Sequence, residues 1–209
     1  QVVKALLASS ELPELGGQTR QISVLFSDIR NFTTFSEKLS AKEVVELLNT
    51  YLERACVVLL AEGASIDKFI GDAIMAEFGA PLAQPDHARR ALRAAVALRA
   101  VAVEFRVWVK QRFAGSDLPE FDIGIGVHSG EAVVGNIGAS VRMEYTAIGD
   151  TVNIASRLEG KTKETGAHIL ASRDTVSMFG GELKTGALYC LTVKGRAAPV
   201  EAFEIVALK

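Results

Sequence analysis

Two aspartates stand at the ends of apolar runs. Asp28 closes residues 22–27, and Asp72 is the second residue of Gly71-Asp72, between the strand-like runs 64–70 and 73–78. In a split βαβ core the first strand is central and the hairpin is its neighbour, so both carboxylates reach one sheet edge. Two carboxylates brought that close repel unless a cation lies between them. Oxygen-only ligation from an Asp pair suits Mg²⁺, which takes its other ligands from water and phosphate. Taken singly, Asp28 also reads as a cap and Asp72 as an ordinary turn residue, so the residues alone leave both readings open. Asn153 and Arg157 lie four apart on one helix face. There they suit a ribose and phosphate oxygens, given the planar, always charged guanidinium, or form a solvated surface pair. Lys68 sits inside an apolar strand, where it either meets a ligand or reaches out at a sheet edge. Lys194-Gly195-Arg196 reads as a phosphate contact or a polar turn. His87, His128 and His168 show no metal-ligand spacing and read as structural.

The common nucleotide-loop templates are missing. No G-x-x-x-x-G-K-[ST] occurs, and Gly124-Ile125-Gly126 lacks the third glycine and following helix of a dinucleotide fingerprint. What positions the candidate residues is an α/β order. A strand at 22–28 leads into a polar loop, Arg30 to Thr34. Ser40 and Glu43 then form a capping box that opens a helix running to Gly63. A Gly-first two-residue loop suits a type II′ turn in the 64–78 hairpin. Pro85 and Asp86 open a long helix, 88–113. Strands at 121–128 and 131–137, joined by Ser129-Gly130, precede a brief strand at 145–148. A helix runs from Gly149-Asp150 to about Glu159. The tail reads as strand, short helix and two strands. The expectation is an α+β, ferredoxin-like sandwich, a mostly antiparallel sheet with helices covering one face.

The chain has 209 residues, 49% hydrophobic and 23% charged, with a formal charge of -2. That composition excludes wholesale disorder, and the balanced charge gives no reason to expect nucleic acid as a partner. Cys56 and Cys190 read as buried thiols of a reducing compartment. No apolar run of about 18 residues is present, and the expected location is cytoplasmic, with room for a membrane tether elsewhere in a longer protein. Residues 1–20 read as a linker or the end of an upstream sensor or regulatory region, and 21–209 as one catalytic domain.

Taken together, the motifs resemble class III nucleotidyl cyclases. Residues 24–33 and 67–75 look like that family's two metal-binding segments, and Tyr145 to Leu158 resembles its base-and-ribose segment. Gly126-Val127-His128-Ser129-Gly130 and Val193-Lys194-Gly195 also fit. The resemblance implies a homodimeric, ferredoxin-like palm-type domain with two active sites shared across the subunit interface. It implies that Asp28, Asp72 and the backbone carbonyl of Ile29 bind two Mg²⁺ or Mn²⁺ ions per site. Lys68 and Thr146 would read the base, Asn153 would position the ribose, and Arg157 and Lys194 would hold phosphates. Phe32 and Thr33, within the first segment, would meet the substrate. Lys68 can donate to adenine N1 and Thr146 can accept from the 6-amino group, which implies ATP and a cyclic AMP product. A guanylyl or relaxed-specificity cyclase, or a non-catalytic cyclase-like dimerisation module, are the alternatives. The Lys/Thr pair resembles a bacterial subgroup in which several members respond to bicarbonate. The chain departs from animal pseudo-heterodimers at Thr146, where many carry Asp, and at Gly124, where they place a phosphate-binding Arg.

Overall fold

The apolar run ending at Asp28 is the middle of a longer strand, β1 (Gly16–Ile29). The computed structural model describes residues 15–139, 141–192 and 199–208. β1 pairs antiparallel with β3 (Ala73–Phe78) on one side and, from Gly16 to Ile29, with β4 (Ile123–Ala139) on the other. β2 (Ser65–Ile70) hairpins onto β3. Gly71 in the turn has φ 64 while Asp72 keeps negative φ, consistent with type II′. β5 (Arg142–Ile148) pairs with β4, and β6 (Ile169–Ser172) is β4's parallel neighbour. β7 (Leu183–Leu191) and β8 (Val200–Leu208) extend that edge. Among the described residues the sheet runs β2-β3-β1-β4-β6-β8-β7, with β5 attached to β4. The expected split βαβ core is its first half.

The helix predicted from the Ser40/Glu43 box is α2 (Ala41–Ala61), following a short helix α1 (Phe32–Lys38). Its box is closed: Ser40 N–H donates to Glu43 Oε2 at 2.9 Å, and Glu43 N–H returns to Ser40 Oγ. α3 (His87–Arg112) lies beside α2. Leu25, Leu47, Tyr51, Phe105, Phe121 and Ile125 bury completely between this helix pair and the sheet. Removing that apolar area from water is the main drive for docking the helices.

Five expectations change. Residues 30–34 do not stay a loop, because α1 starts at Phe32. Asn31, at φ 57, turns the chain so that its carbonyl accepts from Thr34 and Phe35, and Phe35 buries completely. Ser129-Gly130 is no turn. Both residues lie within β4, opposite Ser23 and Ile22 of β1. Helices do not cover one face only: α4 (Asp150–Thr165), longer than expected at its C-terminal end, packs on the opposite face. A Cβ on Gly126 would lie 2.1 Å from Glu159 N and 2.3 Å from Ala155 O, so that helix rests directly on bare strand backbone. Gly16 to Arg20 join β1 rather than a leading segment, and a Cβ on Gly135 would lie 2.1 Å from Gly16 O. Lastly, Cys56 is only partly buried and Cys190, on β7 at the far edge, is exposed; both are free thiols. α5 (Arg173–Ser177) completes the chain's helices among the described residues.

Candidate active site

Asp28 at the end of β1 and Asp72 in the β2–β3 turn meet, as their strands require. Asp72 Oδ2 accepts from the Ile29 N–H at 3.2 Å, which ties the hairpin tip to the strand end. Burial, reinforced by a hydrogen bond to Asp28 and by its charge, pushes Asp72 up to about 6. A carboxyl raised by burial and then by a like neighbour marks a site short of positive charge. Lys163 of α4 supplies some: its Nζ donates to Asp28 Oδ2 at 2.7 Å, which raises the lysine's own pKa. Among the described residues no group of three His, Cys, Asp or Glu side chains is arranged as a metal cage. Two carboxylates and a strand end fit a hard divalent ion that keeps water and phosphate ligands. Arg30 braces the loop below: its N–H donates to Asp122 O at 2.8 Å and its Nη2 to Ala167 O at 2.6 Å.

The second polar centre lies on the same hairpin, at its other end. β5 reaches back over β2 and β3, and three bonds fix it there. Lys68 Nζ donates to Glu144 Oε2 at 2.6 Å, Ala147 N–H donates to Glu77 Oε1 at 2.8 Å, and the Thr146 hydroxyl donates to Asp67 Oδ2. Lys68 and Thr146, the two predicted base readers, thus meet in one polar cluster around Asp67. β2 is the sheet's edge strand, which explains how a lysine fits an apolar run. Asp67 is the extra residue of a β-bulge between Ile66 and Lys68, and its side chain is 1% exposed. Bulges re-aim side chains in this way beside active sites. Glu77 is as deeply buried; desolvation, then the adjacent Asp67, push it up to about 8.

Asn153 and Arg157 lie on the exposed side of α4. Arg157, with Ser156, Glu159, Gly160, Lys161 and Thr192, lines an open cavity of about 540 Å³. Phe32 and Thr33 open α1 just after the Asp28 strand end, Phe32 packed on the core and Thr33 exposed. Lys194 lies outside the described residues. His87 and His128 are buried within a hydroxyl network, Ser23 Oγ lying 2.8 Å from His87 Nδ1 and Ser172 Oγ 2.7 Å from His128 Nδ1. His168 pairs with Asp122 at 3.2 Å. All three histidines are structural in this sense.

Four charged residues at these centres escape sequence reading: Asp67, Glu77, Glu159 and Lys163. Glu159 is pushed up to about 7, mainly by burial and next by the charge of Asp28. The signal for Glu77 and Glu159 was present as a carboxyl inside an otherwise apolar stripe. Lys163 gives no such signal, since only the α4–β1 packing brings it to Asp28.

The chain matches the model of the "Adenylate and Guanylate cyclase catalytic domain" over residues 16–205. Adenylate cyclase 1 of Rhizobium meliloti is 40% identical over 187 residues, covering 90% of this chain and 28% of that protein. A terminal-differentiation specific adenylate cyclase of Dictyostelium discoideum is 35% identical, covering 90% of this chain and 9% of that protein. The chain therefore spans less than a third of the length of these relatives. Among solved structures, the adenylyl cyclase CyaB from P. aeruginosa superposes with TM-score 0.82 at 36% identity, over 93% of this chain and 98% of that one. The guanylyl cyclase Cya2 does so with TM-score 0.85 at 34% identity, over 93% and 96%. The chain belongs to the adenylate and guanylate cyclase catalytic domain family. Both nucleotide preferences occur on this fold, so the fold by itself does not choose between them.

Proposed function

We propose that this domain is an adenylyl cyclase, converting ATP to 3′,5′-cyclic AMP and pyrophosphate with two divalent ions at each site of a homodimer. The observation that carries the reading is that Lys68 and Thr146 both meet Asp67, on the hairpin that also bears Asp72. Lys68 donates to adenine N1 and Thr146 accepts from the 6-amino group. Guanine would present an N1–H to the ammonium and leave buried groups unpaired.

Asp28 and Asp72, with the Ile29 carbonyl, would hold Mg²⁺ or Mn²⁺; when bound, the ions supply Lewis acidity at the ribose 3′-hydroxyl and offset triphosphate charge. Asn153 holds the ribose so that its 3′-oxygen faces the α-phosphorus. The new bond joins that oxygen to phosphorus as the bond to the β-phosphate oxygen breaks. Arg157, and Lys194 outside the described residues, bind the charge growing on the phosphoryl oxygens. Phe32 and Thr33 flank the triphosphate. No side chain of this set is a general base, and the 3′-proton leaves to water or a substrate phosphate.

Sharing of the site between subunits is supported by two features. Within one chain, the polar contacts of Asp28 and Asp72 and those of Lys68 and Thr146 form separate sets among the described residues. Apolar side chains also stand exposed beside both sets, Phe69 and Ile70 at the hairpin tip and Met143 and Ile148 on β5. Such a surface suits an isologous interface that faces one chain's metal end with the other's base pocket. Bicarbonate as an activator, and an upstream sensor region in the longer protein, remain parts of this proposal that rest on the Lys/Thr resemblance and on the relatives' greater length. Incubating the purified chain with Mn²⁺ and ATP, with GTP in parallel, tests the reading. Cyclic AMP formed faster than cyclic GMP supports it. The reverse preference makes this a guanylyl cyclase, and no product from either nucleotide leaves a non-catalytic module.

A further inference from the structure

The Thr146 hydroxyl is ambivalent by chemistry, since a freely turning O–H can accept from an adenine amino group or donate to a guanine carbonyl. In this structure it is not free. Its proton goes to Asp67 Oδ2, on a side chain 1% exposed, so the hydroxyl oxygen has only lone pairs left for a ligand. Asp67 is itself held. It is the bulge residue of β2, and its Oδ1 lies 3.4 Å from Lys68 Nζ while finding no partner of ordinary hydrogen-bond geometry. Beside it Glu77, on β3, accepts from Ala147 N–H at 2.8 Å, so one carboxyl anchors the backbone next to Thr146.

We propose that Asp67, supported by Glu77, is the positioning residue that fixes Thr146 as a hydrogen-bond acceptor and so sets the pocket's preference for a 6-amino over a 6-keto purine. The proposal deepens the cyclase reading and rests on it for the identity of the base pocket. Glu77 keeps its proton through neutral pH, pushed up to about 8 chiefly by burial, and donates it to Asp67, which answers the orphaned Oδ1 and holds the Asp67 carboxylate in place. A neutral acid next to a carboxylate also avoids a second buried charge beside Lys68.

The test is the ratio of kcat/KM for ATP to that for GTP. In Asp67→Ala, Thr146 turns freely and can donate to guanine O6, so the ratio should fall by about tenfold or more, the scale of one hydrogen bond changing hands. The near-isosteric Asp67→Leu, which keeps the volume without an acceptor, is measured beside it in case the alanine variant does not fold. Asp67→Asn and Glu77→Gln should hold the ratio within about threefold of the parent, because each keeps the bond it makes to Thr146 or Ala147. A purely structural role would lower both nucleotides equally. An unchanged ratio in a folded Asp67→Ala or Asp67→Leu protein overturns the proposal, as does an equal fall in Asp67→Asn. The ratio of GTP to ATP dissociation constants, measured without turnover, should move in the same direction. A parent that binds ATP but cyclises neither nucleotide fails the cyclase reading and leaves this inference to the binding ratio. A parent that binds neither overturns both.

Discussion

Two carboxylate pairs sit on one hairpin, and they solve the same electrostatic problem differently. At the tip, Asp28 and Asp72 meet at an open edge, and Asp72 is pushed up only to about 6. Farther along, Asp67 and Glu77 meet under β5 with both side chains nearly sealed from water, and Glu77 is pushed up to about 8. The edge pair is left with a modest excess of negative charge, eased by the exposed Lys163. A divalent ion can relieve it, and entry of one costs the protein no buried packing. The sealed pair is cut off from water, so it keeps a proton and serves as a hydrogen-bonded brace. The same two functional groups are therefore suited to a cation site or to a scaffold according to access to water, through the balance of desolvation and like-charge repulsion.

The largest expected effect breaks the edge pair. Asp72→Ala should reduce cyclase turnover by about 10³-fold or more, the several kcal/mol that a Lewis-acid site supplies. Its Tm should be unchanged or slightly higher, because a tip carboxylate packs little and Asp28 loses a like charge. Turnover near the parent's in a folded variant would remove the metal assignment.

The second expectation extends the comparison across the interface. Asp28→Ala disables one subunit's metal end, and Arg157→Ala disables the other's phosphate contact. If each site takes Asp28 from one chain and Arg157 from its partner, a mixed dimer puts both lesions in one site and leaves the other intact. Equal mixing makes about half the dimers mixed, so roughly a quarter of parental activity should return from two dead proteins. No recovery under conditions that demonstrably exchange subunits would show that a site belongs to one chain.

The sealed pair should be visible in stability. Glu77 holds its proton in the folded chain up to about 8, whereas the unfolded chain releases it near the ordinary carboxyl value of 4.5. The folded state then binds more protons across that window, so stability falls as pH rises from 4.5 towards 8 and levels off above it. Glu77→Gln carries no such proton, and its Tm should fall less over the same range in metal-free buffer. Parallel Tm curves would mean that Glu77 ionises normally. Asp72 and Glu159 slope the same way in both proteins and cancel in the difference.

The smallest effect sharpens the edge pair. Lys163→Met removes the ammonium from Asp28, and Mn²⁺ binding followed by electron spin resonance should tighten by about two- to fivefold, the range of an exposed ion pair. Unchanged affinity would mean that Lys163 leaves the site without cost.

The amino-acid sequence by itself determined what nearest neighbours can determine. The Ser40/Glu43 capping box, the Gly71-Asp72 turn and the long helix after Pro85 depend on residues a few positions apart, and each is where its local chemistry puts it. Asp28 and Asp72 were also legible as a pair, because the split βαβ order alone brings a first strand end to the hairpin tip. The remaining features depend on partners far along the chain. Ser129-Gly130 is turn-like in isolation, yet the ladder to Ile22 and Ser23 keeps it in one continuous β4. Gly124 and Gly126 carry no fingerprint, and they are glycine because the α4 backbone and Thr162 leave no room for a Cβ. Lys163 reaches Asp28 across 135 positions, and Thr146 reaches Asp67 across 79. Hydrogen bonds of that span depend on which faces pack, and packing of a whole sheet is set by the summed burial of many side chains rather than by any one local signal.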